Sequence, residues 1–199
     1  RLLTEQYQLV INNPSTLSQQ VLASQVGVTQ TTVSNWQAQK SLPRTLSTKY
    51  FQHQISDSVE VTPELCRLLG YYTAEGYARK GLDFCLHRDE VVLQQDIKDL
   101  MQAIFGLNPD KERFITNNAI NIVYNASQIT DFFIQHCGKG SHAKHIPNFL
   151  FEAPREYFLE YLKACILGDG YVTKEGKIEI TSVSQQLILE LNWICRMHG

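Results

Sequence analysis

Ten residues in the middle of the chain, LLGYYTAEGY (Leu68–Tyr77), return later as LKACILGDGY (Leu162–Tyr171), and this internal echo constrains the fold more than any other feature. A leucine, two small residues, an acid, a glycine and a tyrosine recur in register. The small residues, Gly70 and Ala74 in one copy and Ala164 and Gly168 in the other, stand four apart, so each segment as a helix carries one smooth stripe. Two smooth stripes let helices approach backbone to backbone, the geometric reason that small-x-x-x-small pairs mark close crossings. The two copies are therefore expected to pack on each other through Gly70, Ala74, Ala164 and Gly168. Glu75 and Asp169 would then emerge side by side at the end of the crossing, each followed by a glycine able to end its helix. Helix C-termini already carry partial negative charge, so paired acids there are unfavourable unless a divalent cation binds.

The chain as a whole, 199 residues, has the composition of a folded protein, with 43% hydrophobic and 19% charged residues, which excludes disorder over most of its length. Every apolar run is broken within about a dozen residues, so neither a membrane-spanning helix nor a secretory leader is expected. The five cysteines (Cys66, Cys85, Cys137, Cys165, Cys195) are widely spaced, without a C-x-x-C pair. They read as reduced, buried and inert thiols of a cytoplasmic protein. A formal charge of −2 means that any nucleic-acid binding must come from local basic patches.

Residues 1–62 hold only four Lys or Arg and three Asp or Glu, and the charge density rises at Pro63, which places a domain boundary there. In the first part Leu17, Val21, Leu22 and Val26, then Val33 and Trp36, fall at helical spacing on either side of Gly27. The segment LASQVGVTQTTVSNW (Leu22–Trp36) has the helix-turn-helix pattern: small Ala23 lets the helices cross, Gly27 permits positive φ, and Val33 and Trp36 pack inward. The outward face, Thr29, Gln30, Thr31, Ser34 and Asn35, suits phosphates and base edges of the major groove. Leu42 to Ser58 reads as linker with room for one helix. From Pro63 to Cys137 the periods spell α-β-β-α-β-β-α. Thr62 caps a helix over Pro63–Ala74, Leu82, Phe84 and Leu86 mark a strand, and Leu93 to Ile104 form an amphipathic helix. Strands follow near Glu112–Thr116 and at Ile120–Tyr124, then a helix over Ser127–Cys137. His136, Cys137, His142 and His145 are too poorly spaced for a tetrahedral zinc site.

The two repeats resemble the dodecapeptide motifs of LAGLIDADG homing endonucleases, in the two-motif form embedded in inteins. The segment HAKHIPNFLFEAP (His142–Pro154) is similar to the K-x-I-P stretch ahead of the family's second motif. The resemblance spans Pro63 to Gly199. It implies an α+β fold of two αββαββα halves about a pseudo-twofold, a monomeric pseudo-dimer whose β-ribbons saddle double-stranded DNA, preceded by the small all-α helix-turn-helix domain. The halves would be residues 63–152 and 153–199. It further implies that Glu75 and Asp169, with the carbonyls of Ala74 and Gly168, hold Mg²⁺, and that Lys144 polarises the attacking water or steadies the scissile phosphate.

In the register of the repeats Gly199 stands opposite Phe105, so the second half is expected to stop after its second helix. Without a leading Cys or Ser and a trailing His-Asn, self-splicing is not expected of this chain, and splicing segments would be fused to it in a parent. The implied function is site-specific hydrolysis of DNA phosphodiesters with Mg²⁺. The alternatives are a regulator that keeps the scaffold for binding alone, and an RNA maturase on that scaffold.

Overall fold

Ser18 and Thr29 start two short helices by the same device, a side-chain oxygen accepting from a backbone N–H three residues on, at Val21 and Thr32. A computed structural model describes residues 2–13, 17–43, 46, 56 and 58–198. They belong to two compact units, Arg1–Gln52 and His53–Gly199. In the first, α1 (Leu2–Ile11), α2 (Gln19–Val26) and α3 (Gln30–Gln37) enclose Val10, Leu22, Ala23, Val26, Val33 and Trp36. Gly27 joins α2 to α3 at φ 69°, the left-handed conformation that favours glycine.

Two features of this unit depart from the expectation. Leu17 lies ahead of α2, and both it and Val21 are exposed, because α2 turns Leu22, Ala23 and Val26 inward. Helix α1, which the sequence pattern did not suggest, closes the core. Its Tyr7 ring meets Trp36 edge-on at 5.5 Å, and Gln6 Nε2 donates to Val26 O at 2.6 Å, satisfying a carbonyl at the α2 terminus. Most of the expected linker, residues 44–45, 47–55 and 57, lies outside the described residues.

The second unit is α+β. Helix α4 (Pro63–Glu75) starts with Thr62 as cap, its Oγ1 accepting from Leu65 N, and Pro63 in the first turn. Strands β1 (Gly76–Ala78), β2 (Leu82–His87), β3 (Lys111–Phe114) and β4 (Ala119–Tyr124) form an antiparallel sheet in the order β1-β2-β4-β3. One face, with Leu82, Phe84, Leu86, Ile120, Ile122 and Tyr124, shares a buried core with α4, α5 (Val91–Phe105) and α6 (Ser127–Cys137). Phe133 of α6 sits at its centre, 5.0 Å from Tyr72 and 6.3 Å from Phe84. Strand β3 is exposed throughout, so no apolar alternation marks it in the sequence.

After α6, two short 3₁₀ turns (Ser141–Ala143 and Asn148–Phe151) lead to α7 (Arg155–Asp169), the hairpin β5 (Gly170–Val172) and β6 (Ile178–Ile180), and α8 (Gln185–His198). These repeat the order α4-β1-β2-α5. The repeat is unequal in burial: Phe84 and Leu86 are buried, whereas Ile178 at the place of Phe84 is 55% exposed. Among the described residues, no helix is long and apolar enough to cross a membrane.

Candidate functional site

Helices α4 and α7 meet along their small residues. A Cβ added at Gly70 would lie 2.4 Å from Tyr161 O and 2.7 Å from Ala164 Cβ. One added at Gly168 would lie 2.6 Å from Ala74 Cβ and 3.1 Å from Glu75 Cγ. Real carbon atoms do not approach so closely, so the main chains meet at Gly70, and the Gly168 backbone lies against the Ala74 and Glu75 side chains. A buried polar chain ties the seam: Tyr161 OH donates to Thr73 Oγ1 at 2.9 Å, and Thr73 donates to Leu69 O at 2.9 Å. Arg67 adds ion pairs to Asp96 of α5 at 3.1 Å and to Glu160 of α7 at 3.6 Å.

Glu75 and Asp169 are the last residues of α4 and α7, and the crossing sets Glu75 against Gly168, the residue before Asp169. The glycines that follow work differently from the helix-ending role expected of them. Gly76 and Gly170 leave in extended conformation, with φ −90° and −92°, so no left-handed turn is involved. They are needed for space: a Cβ at Gly76 would sit 2.3 Å from Tyr72 Cδ2, and one at Gly170 2.6 Å from Ile166 Cα. Burial first, then the neighbouring Asp169 and Glu90, push the Glu75 carboxyl up to about 7. Burial also raises Asp169, against the opposing pull of the Lys144 charge.

Lys144 is 4% exposed, which rules out a solvated surface lysine. Its Nζ donates to Tyr72 O and, at 2.8 Å, to Gly76 O, and lies 3.5 Å from the centre of the Tyr72 ring. Burial pulls the ammonium down to about 8. These partners are 72 and 68 residues away along the chain, and no sequence pattern announces them.

The pH response of the cation-free chain follows from Glu75. Its native carboxyl holds a proton up to about 7, whereas the unfolded group loses it near 4.5. Between those values the native state binds more protons, so stability falls as pH rises, by about 2 kcal/mol from this group. Urea midpoints at pH 5 and pH 8 are expected to differ in that direction. Glu75→Gln should flatten the difference, and equal pH dependence in both proteins would contradict the raised Glu75 carboxyl.

Elsewhere, Thr29, Gln30 and Thr31 are exposed at the start of α3, and Ser34 and Asn35 are half-buried. Thr29 is committed to capping, its Oγ1 accepting from Thr32 N and 2.8 Å from Thr32 Oγ1. The open face of the sheet was not read from the sequence as a site, although its residues alternate with the buried apolar set. It forms a hollow of about 380 Å³ lined by Tyr77, Arg79, Lys80, Lys111 and Arg113 around Asp83. There Asn121 Nδ2 donates to Tyr77 OH at 2.6 Å.

His136 packs between Phe132 and Phe149, and Cys137 points at Leu69 O. Among the described residues no group of three or more His, Cys, Asp or Glu is placed to hold a metal, so the acid pair is a two-carboxylate arrangement. All five cysteines are free, but they are not all buried: Cys66, Cys137 and Cys165 are, Cys85 is half-buried, and Cys195 on α8 is exposed. Burial raises the thiols of Cys66 and Cys137 to about 12, which keeps them protonated.

No family model matches the chain. It is similar to an uncharacterized protein, MJ0043, of Methanocaldococcus jannaschii, 33% identical over 130 residues, which are 63% of this chain and 17% of that protein. It is similar to a DNA polymerase of Thermococcus kodakarensis, 30% identical over 151 residues, 70% of this chain and 9% of the polymerase. The DNA polymerase II large subunit of the same organism matches at 31% over 136 residues, 64% of this chain and 7% of the subunit. The chain thus spans less than a fifth of the length of these curated relatives, and its homologues include regions of archaeal DNA polymerases.

Proposed function

We propose that this chain is the endonuclease part of an intein-embedded LAGLIDADG homing endonuclease, hydrolysing DNA phosphodiesters with Mg²⁺ at a specific site. The observation that carries the reading is the pair of acid-ended helices α4 and α7, crossed through Gly70, Ala74, Ala164 and Gly168 with Glu75 against Gly168. The comparisons support it. Two different polymerase polypeptides of one organism resemble this chain over less than a tenth of their length, the pattern expected of a segment carried inside different host proteins.

The acid pair fits a hard cation. Mg²⁺ commonly takes one or two carboxylates and fills its remaining positions with water and phosphate oxygens, so a two-carboxylate arrangement suffices. Burial is the larger cause of the raised Glu75 carboxyl, and the smaller part that comes from Asp169 is relieved when a cation binds. Glu75 and Asp169 would hold the ion, with the carbonyls of Ala74 and Gly168 beside them. When bound, it would supply an acidified water and offset the charge developing on the scissile phosphate.

The protein's own residues do the rest. The seam constrains the separation of the two acids, because the helices cannot approach without overlap at Gly70 and Gly168 or retreat without losing contact there. Arg79, Lys111 and Arg113 on the open face of the sheet offer charge to DNA phosphates, and α3 offers Gln30, Thr31, Ser34 and Asn35 to base edges.

The direct test incubates the full-length parent with Mg²⁺ and a duplex carrying the unoccupied insertion site, the host sequences on either side of the parent intein joined together. Cleavage at the junction is the expected result. Binding without cleavage would replace this reading by the non-catalytic regulator, and no preference for the junction over random duplex would end it. For α3, Gln30→Ala and Asn35→Ala are each expected to weaken binding to the junction by about 1–3 kcal/mol while sparing random duplex. Equal losses on both duplexes would leave α3 a merely structural helix.

A further inference from the structure

The loop that carries Lys144 is held from two sides before its side chain reaches anything. Ser184, fully buried at the start of α8, donates its Oγ to Lys144 O at 2.6 Å and accepts from Leu187 N. His145 N donates to Cys137 O at the end of α6, and Ile146 N donates to Glu190 Oε2 of α8 at 2.7 Å. From this anchored backbone the side chain runs inward to the exit of α4. The two carbonyls that it meets, Tyr72 O and Gly76 O, lie on either side of Glu75 in the chain. Tyr72 O also accepts the N–H of Gly76, the last bond of the helix.

We propose that Lys144 is a positioning residue, a clamp across the α4 exit that fixes the backbone bearing Glu75, and not a group that contacts the phosphate. An ammonium has three donors, and here two are spent on carbonyls in a site that is 4% exposed. Reaching a phosphate in solvent would take the ammonium from both carbonyls, leaving the exit turn held only by the Gly76 N–H on Tyr72 O. Because helix α8 holds the backbone of Lys144, the second repeat sets the acid of the first repeat through this residue as well as through the seam. The proposal rests on reading Glu75 and Asp169 as a cation site.

The test compares the wild-type chain with Lys144→Met and Lys144→Gln, using Mn²⁺ as the probe and counting bound ion by its paramagnetic resonance. Amide exchange at Gly76 is followed on the same proteins without metal. Removing a positive charge near Asp169 would, by charge alone, tighten Mn²⁺ binding. A lost clamp does the opposite: Lys144→Met is expected to weaken it by about tenfold or more, the usual effect of losing an outer partner of a metal site. Lys144→Gln, which keeps amide donors without the charge, is expected to fall between. Exchange at Gly76 should accelerate in the same order.

Unchanged or tighter Mn²⁺ binding in a folded Lys144→Met protein overturns the clamp, as does unaltered exchange at Gly76. If Lys144→Met does not fold, Lys144→Gln gives the same two readouts. If the wild type binds no Mn²⁺, or binds it equally after Glu75→Gln and Asp169→Asn together, the cation reading fails. The Gly76 exchange then decides the clamp by itself.

Discussion

In the full-length parent, Glu75→Gln and Asp169→Asn are each expected to lower Mg²⁺-dependent cleavage about a thousandfold or more, equivalent to about 4 kcal/mol of barrier, while leaving DNA binding in Ca²⁺ nearly unchanged. Each replacement removes one of the two charges available to the ion and keeps the side-chain size, so the contact of Glu75 with Gly168 survives. The double variant should be little worse than either single one, because the two acids act as one unit. Without metal the Glu75→Gln protein is expected to be more stable than wild type at pH 8, where burial and Asp169 both oppose the charged form. Rapid cleavage by both single variants would show that the acids at the helix ends are not the reactive pair.

The largest effect on stability is expected from Gly70→Leu. A Cβ there already meets Tyr161 O at 2.4 Å, a backbone atom that cannot swing aside as the tip of a flexible side chain can. The helices must separate, which disturbs the Tyr161–Thr73 hydrogen bond and the contact at Gly168 together. Overpacking of a close crossing costs about 3 kcal/mol or more, read as a shift of the urea midpoint. Gly140→Leu bounds the cost of left-handed strain without a clash, since nothing lies within 4 Å of a Cβ there and its φ is 77°; Gly70→Leu is expected to cost more. An unchanged midpoint in Gly70→Leu would show that α4 and α7 do not touch in solution.

Much of the second unit was legible because its determinants are local. Thr62 and Pro63 mark a helix start, and Phe84 and Leu86 or Ile120 and Ile122 alternate as strands must when one face is buried. Strand β3 gave a weaker signal, since all four of its residues are exposed and nothing demands alternation. Helix α1 was missed for a related reason. Its contributions, Val10 in the core and Gln6 on Val26 O, make sense only once α2 and α3 are folded beside it.

What the sequence by itself determined is the crossing of two acid-ended helices, because the smallness of Gly70, Ala74, Ala164 and Gly168 and the positions of Glu75 and Asp169 are properties of the residues and their spacing. The same holds for the Gly27 turn between α2 and α3. Only the tertiary structure decided where Lys144 goes, why Gly76 must be glycine, and which way the Glu75 carboxyl is pushed. A buried ammonium takes whichever carbonyls the fold leaves within reach, here Tyr72 O and Gly76 O. The Glu75 carboxyl answers to the solvent lost around it and to Asp169, which the fold sets beside it. Side-chain size and periodicity are written along the chain, whereas desolvation and long-range partners arise only when distant segments are packed together.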